Sequence, residues 1–102
     1  MPVAELFRAL GDPTRLEMVG RLASGRPHTI TSVSSGLDIT RQGARKHLQI
    51  LADARLVKLE PKGRDTAVIL QRTQLEKAAA YITKLEKQWD VRLEKLKKFV
   101  EG

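Results

Sequence analysis

The sequence predicts a mainly α-helical domain with one β-hairpin and a long C-terminal helix. Three observations lead to this fold class. Apolar residues recur at intervals of three and four along most of the chain, which is the period of an amphipathic helix. Only segments 56–60 and 66–70 are rich in β-forming residues, and they flank a turn that contains Gly63. The length of 102 residues is that of one ordinary domain, so we expect residues 1–102 to fold as a single unit.

The composition narrows the class of protein. The chain has nineteen Lys and Arg and twelve Asp and Glu, which gives a formal net charge of +7. This charge favours anionic partners, above all nucleic acid. The chain has no cysteine, which excludes disulfides, thiolate metal sites and thiol nucleophiles. No apolar run is long enough to span a membrane, and the first residues lack the pattern of a signal peptide. We therefore expect a cytoplasmic protein.

Capping residues and apolar faces define the first three helices. The apolar face of the first helix comprises Val3, Leu6, Phe7 and Leu10. Gly11 ends this helix, and Asp12 followed by Pro13 gives the second helix an N-cap and a first residue. The predicted buried face of the second helix comprises Leu16, Val19, Leu22 and Ala23. Segment 30–37 predicts a third helix of about two turns that closes at Gly36.

The fourth helix is the most basic part of the chain. Thr40 is its predicted N-cap, and the helix runs to about Ala54. Its predicted core face comprises Ala44, Leu48 and Leu51. Residues 39–52 contain three cations and no acid. A two-stranded hairpin follows, with a basic tip at 61–65 where glycine can adopt positive φ.

The last helix is too long for the domain to cover. Thr73 is its predicted N-cap, and residues 73–101 form the helix. About 27 residues at 1.5 Å each give roughly 40 Å of helix. Its apolar stripe must therefore meet something outside the protomer, and a second copy of the chain is the expected partner. The predicted dimer interface comprises Leu6, Leu85, Trp89, Leu93 and Leu96.

This order of elements is that of a winged helix-turn-helix. The motif places its second helix in the major groove of DNA, and the hairpin forms the wing. Arg pairs with guanine, Gln with adenine, and Lys neutralises phosphate, so the exposed polar residues of the fourth helix suit this place. The predicted DNA-binding residues are Thr40, Arg41, Gln42, Arg45, Lys46, Gln49, Lys62 and Arg64.

Several segments together resemble one protein family. Segment 6–16 resembles the opening signature of ArsR-type (arsenic-repressor-like) winged-helix repressors, and segment 40–51, with its His47-Leu48 pair, resembles their recognition helix. Leu56-Val57 and Gly63-Arg64 also match, and segment 89–96 is similar to the last helix of a cysteine-free branch. The resemblance implies a dimeric, operator-binding transcriptional regulator, usually a repressor that a signal releases. Arg55 stands where the family usually has glycine.

Metal sensing is not expected to be part of this function. The third-helix stretch 31–37, where metal-sensing members carry cysteine, has none, and the last helix contains no His. We expect no cofactor and, if a signal releases the DNA, a small organic molecule or a partner protein near the dimer interface. His47 is expected to have a structural role, and His28 to lie exposed in a loop.

Two classes of function stay open at this point. The first is the DNA-binding dimeric regulator. The second is a winged helix that binds a partner protein or RNA without operator specificity. RNA-binding modules use stacking aromatics, and the four aromatic residues, Phe7, Tyr81, Trp89 and Phe99, lie outside the basic region. An enzyme is not expected, because the sequence has no carboxylate pair, phosphate-binding loop or metal cluster in a recognisable context.

Overall fold

The computed structural model describes residues 2–102. The helices are α1 (Val3–Leu10), α2 (Pro13–Leu22), α3 (Ile30–Ser34), α4 (Arg41–Asp53) and α5 (Arg72–Glu101). The strands are β1 (His28–Thr29), β2 (Val57–Lys62) and β3 (Asp65–Leu70). This order confirms the mainly helical winged helix-turn-helix predicted from the sequence.

Local hydrogen bonds explain where the helices begin. Asp12 accepts the backbone N–H of Arg15 at 3.0 Å, and the Thr40 hydroxyl accepts that of Gly43 at 2.9 Å, so both predicted N-caps are confirmed. The long terminal helix is present as predicted, but its predicted N-cap, Thr73, is wrong. The helix begins at Arg72 after Gln71, whose N–H is bonded to the carbonyl of Leu56 at 2.8 Å, and Thr73 lies inside the first turn.

The sheet has three strands instead of the predicted two. The order is β1-β3-β2, and both pairings are antiparallel. The added strand, β1, contains two residues, which is too short to produce a recognisable alternation of polar and apolar positions. The hairpin turn is also tighter than predicted, with Gly63 and Arg64 between Lys62 and Asp65. Gly63 has φ 59°, which its missing side chain permits.

The core lies where all the helices and the hairpin meet. Its buried apolar residues are Leu6, Ala9, Met18, Val19, Leu22, Ile30, Val33, Ala44, Leu48, Leu51, Ala54, Leu56, Val57, Val68 and Ala78. The predicted face of α2 is wrong at two positions, since Leu16 is 57% exposed and Ala23 is also exposed. Met18 is fully buried instead. The reason is that α2 packs against α1, α3, α4 and β3, and these contacts rotate its buried face toward Met18.

The end of α4 shows how the chain accommodates Arg55. Arg55 has φ 59°, in the left-handed region that glycine favours. Its N–H bonds to the carbonyl of Ala52 at 2.9 Å, and the N–H of Leu56 bonds to the carbonyl of Leu51 at 2.9 Å. These two bonds form a Schellman cap. The turn is therefore one that glycine would form without strain, and Arg55 forms it with a side chain in the left-handed region.

The second half of α5 projects away from the rest of the molecule. Residues 79–102 are all exposed, and the molecule measures 68 × 25 × 23 Å. At 1.5 Å per residue, the segment after Ala78 extends about 33 Å from the core. Within the described chain, no helix is apolar over enough of its length to cross a membrane.

Candidate nucleic-acid interface

Helix α3 and the turn after it fix the position of α4. The guanidinium of Arg21 donates to the carbonyls of Val33 at 3.1 Å and Ser35 at 2.6 Å, which attaches the end of α3 to α2. Gly36 then takes φ 78°, a conformation that L side chains rarely adopt. After this turn, the capped first turn of α4 starts at the surface. The start of α4 is thus held from both sides of the turn.

One face of α4 packs inward and the opposite face is polar and exposed. The inward residues Ala44, Leu48 and Leu51 have no exposed surface. The exposed residues that the sequence singled out are Arg41, Gln42, Arg45, Lys46 and Gln49. They extend over about 12 Å of helix, a length that fits within the major groove. The structure places all of them on one accessible face, as predicted.

The wing adds two further cations beside this face. Lys62 and Arg64 flank Gly63 at the tip of the hairpin, and all three residues are exposed.

The side-chain oxygen of Thr40 accepts a hydrogen bond that caps α4, so the first role of Thr40 is to fix the start of the helix. A side chain at Gly43 would lie 3.2 Å from that same oxygen. Glycine at this position therefore leaves room for the cap.

Asp65 connects the wing to the start of α4. Its carboxylate lies 3.8 Å from the Arg41 guanidinium and accepts the N–H of Thr66 at 2.8 Å. A hydrogen bond from the Thr31 side chain, followed by the Thr66 N–H, lowers the pKa of Asp65, and the charge of Arg41 adds a smaller effect. Asp65 thus stays ionised and holds Arg41 beside the wing. Sequence reasoning missed this residue because its partners are distant in the chain.

His47 lies on the side of α4 that faces α2. Arg15 donates from Nη1 to His47 Nδ1 at 3.1 Å and from Nε to the carbonyl of Ala9 at 2.6 Å. The Asp12 carboxylate is 3.8 Å from the same ring nitrogen. The backbone N–H of Arg15 donates to this carboxylate and lowers the pKa of Asp12. His47 is therefore part of the contact between α1, α2 and α4, in agreement with its expected structural role.

The structure corrects the predicted place of His28 and adds a side-chain partner for Gln49. His28 lies in β1 and is half-buried, with Nδ1 3.0 Å from the Ser32 hydroxyl, so the expectation of an exposed loop histidine is wrong. Gln49 donates from its amide to the Asp53 carboxylate at 2.9 Å, which fixes its orientation on α4. Among residues 2–102, no three His, Asp or Glu side chains gather closely enough to hold a metal ion.

The projecting part of α5 presents an apolar stripe to solvent. At helical spacing the stripe comprises Ile82, Leu85, Trp89, Leu93, Leu96 and Val100. It continues the face through which Leu75 and Ala78 pack on the core. Trp89 is 61% exposed. Leu6, which the sequence placed at a dimer interface, is instead fully buried in the core, because the inner face of α1 packs there and leaves no surface for a partner.

Comparisons with known proteins agree with this geometry. A family model described as a helix-turn-helix domain matches residues 10–60. The uncharacterized HTH-type transcriptional regulator YuzN of Bacillus subtilis is 34% identical over 77 residues, covering 70% of this chain and 84% of that protein. An ArsR-like transcriptional regulator from Rhodococcus sp. RHA1 is 30% identical with a TM-score of 0.78, covering 95% of this chain and 91% of that one. The crystal structure of another ArsR family regulator has the same TM-score at 25% identity, with coverage of 85% and 89%.

Proposed function

The chain belongs to the ArsR family of helix-turn-helix transcriptional regulators, and we propose that it acts as a homodimeric repressor on a pseudo-palindromic DNA operator. Proteins of this family bind DNA and are not enzymes. The observation that carries the proposal is the polar outer face of α4, which bears three cations and no acid between residues 39 and 52. It lies beside a wing with a basic tip.

We assign the polar residues of α4 to two tasks. Arg41, Gln42, Arg45 and Gln49 read base edges, since Arg and Gln form paired hydrogen bonds to guanine and adenine. Lys46, Lys62 and Arg64 neutralise phosphates. Asp65 positions Arg41 for this role through their ion pair. Thr40 acts by capping the helix that carries the readout residues.

The proposed dimer forms through the projecting stripe of α5. The stripe residues Leu85, Trp89, Leu93 and Leu96 are too apolar and too numerous to remain in water on an isolated helix. We leave Leu6 out of this interface because it is buried in the protomer. The outer surface of α1 lies close to α5, where the rings of Phe7 and Tyr81 have centroids 5.9 Å apart, so α1 borders the interface. Two-fold symmetry then requires half-sites about one DNA turn, roughly 34 Å, apart or a multiple of it.

The first test is binding to duplexes from the region upstream of the protein's own gene. Replacing both Arg41 and Arg45 by alanine should weaken binding to the preferred duplex by about 2–6 kcal/mol and reduce discrimination against random DNA. Arg26→Ala is the matched control, because Arg26 is an exposed cation in the loop between α2 and β1 and belongs neither to α4 nor to the tip of the wing. Unchanged operator affinity in the double variant would refute the assignment of α4.

The test also separates the proposal from the alternative function. A protein that binds RNA, or any duplex, as tightly as its upstream DNA would be a module without operator specificity. An operator-specific protein should instead show a clear preference that persists as salt rises, even though the absolute affinity falls through counterion release.

A further inference from the structure

A cleft lies at the foot of the wing, at the opposite end of the hairpin from its basic tip. It has a volume of about 500 Å³, a size common among small-molecule sites. Its lining residues come from the end of α4, the start of β2 and the start of α5: Gln49, Ala52, Arg55, Val57, Lys58, Leu59, Gln71, Thr73 and Gln74. Val57 and Lys62 are about 16 Å apart along β2, so the cleft is separate from the proposed phosphate contacts of the tip.

One wall of the cleft contains an unpaired polar group. Gln74 is 7% exposed, and its Oε1 is buried without a hydrogen-bond partner among the described residues. Such a group costs free energy in the folded state unless something donates a hydrogen bond to it. Because the two ends of an amide exchange by a simple flip, either an acceptor or two donors can be turned toward the cleft. Gln74 is thus suited to a ligand with a hydroxyl or amino group.

The same cleft is electropositive. Arg55 and Lys58 line it, and within residues 2–102 Arg55 forms no ion pair, while Lys58 meets Glu60 at 3.0 Å. Helix α5 starts here with no side-chain cap on its N-terminus. The free N–H groups of its first turn and the helix dipole favour an anion at this end. The charge of the site therefore selects for a negative group.

We propose that this cleft binds a small organic carboxylate that also carries a hydroxyl group. The carboxylate lies between Arg55 and the N-terminus of α5. The apolar body of the ligand contacts Ala52 and Val57, and its hydroxyl pairs with the amide of Gln74. This arrangement explains the mixed lining of the cleft and supplies the partner that Gln74 lacks.

Binding here has a consequence for DNA that rests on the proposed function. Gln49 lines the cleft and is also a proposed base-reading residue. A carboxylate bound in the cleft adds negative charge behind the recognition helix, close to the Gln49 side chain that Asp53 orients. We expect the ligand to weaken operator binding about fivefold, within the usual range of coupling between sites.

The probe for the site is 4-hydroxybenzoate, titrated into the 102-residue protein and followed by amide chemical shifts. The result expected is saturable shifts confined to the cleft, including the side-chain amide of Gln74, with a dissociation constant of about 1 mM or tighter for so small a molecule. Benzoate, which lacks the hydroxyl, and 4-hydroxybenzamide, which lacks the charge, should each bind at least fivefold more weakly. Shifts spread over the surface, or equal binding of the neutral amide, would overturn the proposal.

Variants place the ligand. Gln74→Leu should bind 4-hydroxybenzoate at least fivefold more weakly without loss of thermal stability, because the side-chain oxygen that it removes is buried without a partner. Arg55→Gln, which removes the cation proposed to pair with the carboxylate, gives the same reading should Gln74→Leu not fold. Lys62→Gln is the control, since it should weaken DNA binding and leave ligand binding unchanged. Unaltered ligand binding in both Gln74→Leu and Arg55→Gln would contradict the site, whereas absent operator binding in the unliganded parent would contradict only the proposed function.

Discussion

Helices α4 and α5 are both amphipathic, but they leave opposite faces uncovered. The apolar residues of α4, such as Leu48 and Leu51, are fully buried, and its cationic face is exposed. Beyond Ala78, every residue of α5 is exposed, and its apolar residues, such as Trp89, lie in solvent. The face that remains uncovered indicates the kind of partner each helix takes. The face of α4 suits a polyanion, and that of α5 suits an apolar protein surface.

The largest expected effect comes from altering the apolar stripe of α5. Trp89→Ala should convert the proposed dimer largely to monomer at micromolar concentration, because truncation of a packed Trp costs about 3–5 kcal/mol. Sedimentation equilibrium measures the change. Val91→Ala is the matched control, since Val91 is 55% exposed and lies on the opposite side of the helix from Trp89. A Trp89→Ala protein that stays fully dimeric and equally stable would count against the interface.

Two cations of the proposed DNA-binding surface should behave differently. Arg45→Ala should cost about 1–3 kcal/mol on the preferred duplex and relax sequence preference, because it removes a base contact. Lys62→Ala should weaken all duplexes alike and make the log–log salt dependence shallower by about one, because it removes a phosphate contact. Titrations of matched and scrambled duplexes at several salt concentrations distinguish the two. Identical behaviour of both variants would show that α4 does not read bases.

The strained end of α4 gives a smaller effect, which is measured as a change in stability. Arg55→Gly should raise the free energy of unfolding by about 1 kcal/mol, because glycine takes the left-handed conformation without the steric cost of a side chain. Arg55→Ala is the control, since it removes the charge but keeps the strain at φ 59°. Urea unfolding measures both. Equal stabilisation by alanine would assign the gain to the lost charge.

The smallest expected effect is a pH dependence from Asp65. Its pKa is lower in the folded protein than the ordinary value of 3.8, so it binds protons more readily when unfolded. Its contribution to stability is therefore complete above pH 3.8 and is lost as the pH falls through the folded pKa. Urea unfolding at falling pH should show a loss of stability that is smaller in Asp65→Asn. Parallel curves for parent and variant would exclude this contribution.

Features that depend on neighbouring residues were readable from the sequence. The caps at Asp12 and Thr40 each need a side chain and an N–H three residues on, and both are present. The N-cap of α5 is not readable from the sequence, because the N–H of Gln71, just after β3, bonds to the carbonyl of Leu56, which is distant in the chain. The burial of Met18 instead of Leu16 is likewise decided by packing from several elements.

In the candidate site, too, local features are readable from the sequence and contacts between distant residues are not. The outward residues of α4 followed from helical period alone, since Ala44 and Leu48 had to face the core. The ion pair between Asp65 and Arg41, and the cleft beside Gln74, arise only when the wing folds back against α4 and α5. No local pattern in the sequence marks either one. Residues that act through distant partners therefore needed the structure.

The mass of the complex with DNA tests the central claim most directly. The account assigns DNA to α4 and a second protomer to α5, so both contacts must exist at once. Sedimentation equilibrium with one upstream duplex should give a complex of two 11.4 kDa chains per duplex. In such a complex the two half-sites lie on one face of the DNA. A saturated complex of one chain per duplex would contradict the account, and so would a dimer that binds no duplex in preference to random DNA.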